Sequence, residues 1–136
     1  MILQDELPMV AVSSMNDTHL EETLLINKLE KAAKEGREED VLKTLKELLE
    51  HTIIHFSKEE EMMEKTSFPA YPVHKSEHDR HINELHSIIN YFEKNQDTQA
   101  ILAYLEGNLK GWLLEHIKTM DTMTALYLQD ALSNNK

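Results

Sequence analysis

The chain predicts an all-α fold, an antiparallel up-down-up-down four-helix bundle with a di-metal site in its core. Three observations carry that expectation. Apolar residues recur at alternating spacings of four and three through most of the 136 residues, the period of helices with one buried face. Gly36 and the Pro69/Pro72 pair fall between the periodic segments, where helices must stop. Seven side chains of metal-binding type then fall on the inward stripes: His19, His55 and Glu59, His74 and His78, His116 and Asp121. Short links between such helices imply antiparallel neighbours around an interior site.

Taken in order, residues 1–14 read as an N-terminal arm. The first helix spans about 16–35, with Asn16 and Asp17 as N-cap candidates and Gly36 as its stop. Its inward stripe is His19, Glu22/Thr23, Ile26, Leu29/Glu30 and Ala33. The second spans about 38–65, with Val41, Leu45, Leu48, Thr52, His55, Glu59 and Met62 inward. Ser67 to Pro72 breaks the pattern. The third spans about 73–94 on His74, His78, His81/Ile82, Leu85, Ile89 and Phe92, and Asn95 to Asp97 makes a turn. The fourth spans about 98–132 on Leu102, Leu105, Leu109, Trp112/Leu113, His116 and Met120, continuing through Leu126 and Leu132. Residues 133–136 are expected to fray. No internal repeat divides the chain, so 1–136 reads as a single domain.

Composition narrows the function classes. A formal charge of −11 disfavours nucleic acid and anionic membranes as partners. The absence of cysteine removes disulfides and thiolate metal sites. The first residues lack the basic and apolar regions of a signal peptide, and no apolar run approaches the ~20 residues that span a bilayer. The expectation is a cytoplasmic protein, monomeric or weakly self-associating, with no membrane partner.

The chemistry follows from spacing. Residues four apart lie nearly above one another on a helix, so His55/Glu59 and His74/His78 are preformed chelating pairs. Imidazole with carboxylate and no thiolate suits a first-row metal such as iron, manganese or zinc. Seven donors exceed one metal's needs, and two metals bridged by carboxylates use them all. One pair is awkward: His116 and Asp121 are five apart, about 140° round an α-helix. Both face one site only if the helix bends or carries a π-type turn there.

Four stretches carry a resemblance: Asn-Asp-Thr-His19, His55-Phe-Ser-Lys-Glu-Glu-Glu-Met-Met63, His74-Lys-Ser-Glu-His78 and Trp112-Leu-Leu-Glu-His-Ile-Lys-Thr-Met-Asp121. In order and spacing, from about Met15 to Asp121, the chain resembles the hemerythrins, bacterial hemerythrin-like domains in particular. The resemblance implies a non-haem di-iron centre with an oxo or hydroxo bridge. By it, His74, His78 and His116 bind one iron, His19 and His55 bind the other, and Glu59 and Asp121 bridge them. Dioxygen, or a related ligand such as peroxide or nitric oxide, binds at an open position on the second iron. Phe56, Trp112, Leu113 and Ile117 form a dry pocket wall. Met62 and Met63 read as core, Tyr71 as a loop anchor, Glu60 and Glu61 as solvated and His86 as exposed.

Three positions depart from an oxygen carrier of that family: Glu22, His51 and His81. One turn after His19, one turn before His55 and one turn after His78 lie at one level of such a bundle, on the pocket side of the metals. Glu22 is an additional ligand or a group within hydrogen-bonding reach of the open position, with His51 or His81 as its partner. Two function classes follow. The first is an oxygen-binding protein for storage, delivery or sensing, with no catalytic residue. The second is a di-iron enzyme that reduces oxygen, peroxide or nitric oxide, with Glu22 tuning the open iron. Metal storage is a weaker third.

Overall fold

A computed structural model describes residue 9 and residues 13–134. Among them there are four helices and no strand. They are α1 (Ser13–Lys34), α2 (Glu38–Lys65), α3 (Tyr71–Asn95) and α4 (residues 98–134). Helix α4 is continuous but not uniform. α-Helical Thr98–Tyr104, Lys110–His116 and Thr122–Asn134 are joined by two π-type turns, Leu105–Leu109 and Ile117–Asp121. Each helix packs on the next, and α1 also packs on α4, which closes the ring of an up-down-up-down bundle.

Local chemistry sets the joints. Gly36 takes φ +67 just past α1, the left-handed stop that favours glycine. Glu38, Glu39 and Asp40 place negative charge in the first turn of α2, where the helix dipole stabilises it. Pro72 sits in the first turn of α3, where its missing N–H costs no helical bond. Asp97 caps α4 by accepting from the backbone N–H of Gln99 and Ala100, both at 3.1 Å. The loop between α2 and α3 is tied down by Tyr127, whose hydroxyl donates to the Thr66 carbonyl at 2.6 Å. Tyr71, expected in the loop, instead begins α3.

Helix α1 starts a turn earlier than Asn16, because Met15 is buried and the extra turn carries it into the core. Residues 1–8 and 10–12 of the expected arm lie outside the described residues, as do residues 135 and 136 of the expected frayed end.

The bundle has two unlike halves. Toward the α1–α2 and α3–α4 turns the interior is mainly apolar, with Leu29, Val41, Leu45, Phe92, Ile101 and Leu105 buried and Glu30 and Thr44 among them. Toward the α2–α3 loop the interior is polar, with His19, Glu22, His55, Glu59, His74, His78, His116 and Asp121 all buried. Inward and outward faces follow the expected stripes with small shifts. Met63 rather than Met62 is fully buried, Ile101 and Tyr104 join the core, and Leu126 is exposed. No helix among the described residues is long and apolar enough to cross a membrane.

Candidate metal centre

Four helices deliver seven donors to one space. α1 supplies His19, α2 supplies His55 and Glu59 one turn apart, α3 supplies His74 and His78 one turn apart, and α4 supplies His116 and Asp121. The last pair faces inward together because Ile117–Asp121 is a π-type turn, which widens the helix by one residue and aligns positions five apart. The donors fall into two groups, each compact enough for one cation: His74, His78, His116 and Asp121, and His19, His55 and Glu59.

The two carboxylates span both groups. Asp121 Oδ2 lies 3.0 Å from His19 Nε2, while its Oδ1 lies 3.1 Å from His74 Nε2 and 3.3 Å from His116 Nε2. Glu59 Oε2 closes on His55 Nε2, and its Oε1 faces His78 Nε2 at 3.5 Å and His74 Nε2 at 3.8 Å. In all five imidazoles Nε2 is the inward atom. Three of the outward Nδ1 atoms meet partners: Thr124 Oγ1 at 2.8 Å from His74, Glu60 Oε2 at 3.0 Å from His78, and Glu22 Oε2 at 2.5 Å from His55. The Glu60 carboxylate at Nδ1 of His78 holds the ring proton there and leaves the Nε2 lone pair facing inward, whereas His55 has a carboxylate against each nitrogen, Glu22 at Nδ1 and Glu59 at Nε2.

These lone pairs have too few protons to share. His74 Nε2 and His116 Nε2 face each other at 3.3 Å. Glu59 Oε1, Asp121 Oδ1 and His78 Nε2 are buried without a hydrogen-bond partner. Buried polar atoms left this way are costly, and converging nitrogen and oxygen donors without thiolate fit a first-row cation. The charges point the same way. Burial pushes the Asp121 carboxyl up, but His116, His19 and His74 outweigh it and hold the group well below the usual carboxylate range. Burial pushes His55 down, but the Glu22 and Glu59 carboxylates raise it well above an ordinary histidine. His116 is likewise raised by Asp121 against burial. The cluster thus favours positive charge between its carboxylates. The residues present fit a pair of bridged metal ions.

The surrounding rings are stacked. Phe56 lies flat on His78 at 3.7 Å between centroids. Trp112 is sandwiched between His116 at 4.7 Å and His81 at 4.0 Å, and its Nε1–H donates to Glu77 Oε1 at 2.6 Å. Leu113 and Ile117 are buried beside them.

The three departures separate. Glu22 is buried; its Oε1 accepts from Thr52 Oγ1–H at 3.3 Å and its Oε2 lies 2.5 Å from His55 Nδ1 as an ion pair. Its partner is therefore the ligand-type His55, not His51 or His81. His51 turns to the surface side and meets Glu21 Oε2 at 3.0 Å. His81 is buried in the Trp112 stack, and burial is the main cause that lowers it to about 4, so it is neutral near pH 7. Glu60 is not solvated: it is 18% exposed and bonds His78, whereas Glu61 is exposed. His86 is exposed. Sequence reasoning missed Thr124, Glu60 and Thr52 as outer partners. Thr124 lies three residues after Asp121 on the same helix, a spacing that signals proximity.

The family profile described as "Hemerythrin HHE cation binding domain" matches residues 10–125. The bacteriohemerythrin of Aquifex aeolicus (strain VF5) is 31% identical over 116 residues, 85% of this chain and 88% of that protein. The myohemerythrin of Sipunculus nudus is 39% identical over 77 residues, 57% of each chain. A crystal structure of a hemerythrin mutant superposes with a TM-score of 0.77 at 22% identity, covering 94% of this chain and 95% of that one. That last likeness concerns the fold alone.

Proposed function

The chain belongs to the hemerythrin HHE cation-binding family, known for di-iron oxygen binding, and from that premise we propose that it holds two iron ions and binds dioxygen reversibly, for storage, delivery or sensing. The observation that carries this reading is the orientation of the seven side chains. Each bridging-type carboxylate turns one oxygen to each donor group, and five imidazoles turn Nε2 to the same space. His74, His78 and His116 would hold one iron, His19 and His55 the other, with Glu59 and Asp121 shared. Iron, when bound, supplies the electrons and the coordination site for a diatomic ligand.

The chain's own residues do the rest. Glu22, Thr124 and Glu60 fix three imidazole rings through Nδ1, so the donors need little rearrangement on binding. Phe56, Leu113, Ile117 and the Trp112 stack wall the centre on the side of His78 and His116, which slows loss of electrons and protons from a bound ligand on that side. An enzyme that reduces oxygen, peroxide or nitric oxide needs a proton donor at the ligand. Glu22 is committed to His55 and Thr52, and His81 is held neutral, which favours the binding reading.

The test is oxygen addition to anaerobically reduced, iron-loaded protein, followed by visible absorption. A new band that appears with oxygen and disappears under argon over repeated cycles is expected. One-way passage to a stable oxidised spectrum overturns reversible binding and favours the enzyme.

A further inference from the structure

The two donor groups are unequal. One has four donors, His74, His78, His116 and Asp121, and the other has three, His19, His55 and Glu59. Behind the poorer group stands the more deeply buried outer carboxylate. Behind His55 stands Glu22, 3% exposed, with its Oε2 2.5 Å from His55 Nδ1 and its Oε1 accepting from the buried Thr52 hydroxyl at 3.3 Å. Its equivalent behind His74 is the neutral hydroxyl of Thr124. Behind His78 the carboxylate of Glu60 is 18% exposed, so solvent screens it. His19 Nδ1 has no hydrogen-bond partner at all.

A buried carboxylate that faces one hydroxyl and an imidazole it shares with a second carboxylate, Glu59, is only partly compensated. It is well compensated once that imidazole carries a cation on its opposite nitrogen. The same charge, transmitted through the ring, makes His55 a stronger donor. We propose that Glu22 is a positioning residue that compensates the three-donor group for its missing ligand, acting through His55 and setting the affinity of that metal position separately from the other. This inference rests on the two-metal reading above. In consequence the two positions fill in two steps, the four-donor group first.

The experiment is an anaerobic titration of the metal-free chain with cobalt(II), an oxygen-insensitive stand-in for ferrous iron, followed by calorimetry and visible absorption. Three chains are compared: native, Glu22→Leu and Glu22→Gln. Gln keeps the shape and an acceptor oxygen but not the charge. The native chain is expected to take two cobalt ions in resolved steps. Glu22→Leu should weaken the second step by about 10–100-fold, the usual effect of removing an outer partner of a ligand, and Glu22→Gln by about 10-fold. The first step should stay within about threefold of native in both, a selectivity that general loss of structure would not produce.

A native chain that takes two cobalt ions, with an unchanged second step in both variants, overturns the role of Glu22 and leaves the two-metal reading standing. Equal weakening of both steps also overturns it, since Glu22 then acts on the fold and not on one position. A native chain that takes a single cobalt ion overturns the two-metal reading itself.

Discussion

His81 is an imidazole kept from its proton. It lies 3% exposed against Trp112, and burial is the main cause that lowers it to about 4. An unfolded chain protonates this histidine near pH 6.5, while the folded chain resists until about pH 4. Its contribution is therefore whole above pH 6.5 and is lost as pH falls from there toward 4. Between about pH 7.5 and 5 the loss is on the order of 2 kcal/mol. His81→Phe keeps a flat ring for the stack and removes the titration, so its urea midpoint should fall less over that interval; equal acid sensitivity in both proteins would contradict this. The residues showed their positions in sequence more readily than their partners. That Glu22, His51 and His81 lie near one level could be read from helix direction, but Glu22 meets His55 and His51 meets Glu21. Which neighbour a side chain chooses depends on rotamer and on a few degrees of helix rotation, neither of which spacing specifies.

The π-type turn at Ile117–Asp121 amounts to one inserted residue in α4. Removing Thr119, an exposed residue inside it, would leave His116 and the aspartate four apart, the same chelating spacing as His55 and Glu59. The shortened helix should still bind both metals and keep the residues beyond it in register. Removing Ser76, exposed between His74 and His78 on regular helix, turns one of those ligands by about 100° and should cost at least one metal. Metal analysis after iron reconstitution compares the two. Loss of iron on removing Thr119, with helix content intact by circular dichroism, would show that the wide turn itself is needed. This turn was legible because two chemically marked residues bracket it at a spacing no straight helix allows. The turn at Leu105–Leu109 was not legible, since a wide turn among leucines leaves an apolar stripe that still reads as continuous. The start of α1 was misplaced for a similar reason: Asn16 and Asp17 are good caps, but burial of Met15 outweighs them.

Across the whole molecule, the apolar half and the polar half contribute differently. The interior around Leu29, Leu45, Phe92 and Leu105 rests mainly on apolar burial, its buried Glu30 held by Lys110 at 2.7 Å and Lys34 at 3.0 Å. The interior around the seven donors holds unpartnered polar atoms that a bound cation would satisfy. Stripping iron with a chelator should therefore lower the melting temperature by about 10 °C or more, with most helix retained at low temperature. Asp121→Ala, which removes an oxygen from both groups, should approach the stripped protein even after reconstitution. Calorimetry checks both, and an unchanged melting temperature in either would remove metal binding from the stability of the fold. The four-helix architecture was legible because two unlike signals, apolar periodicity and ligand placement, marked the same faces of the same four segments.

The chain has a single tryptophan, and the fold lays that one indole against His116 at 4.7 Å. Its fluorescence therefore arises from one known place in contact with a candidate ligand. Iron at His116 would draw off the excited state, so emission would dim as the centre fills and recover as it empties. With iron bound there, the protein would carry its own occupancy gauge, readable in solution without a dye or a label.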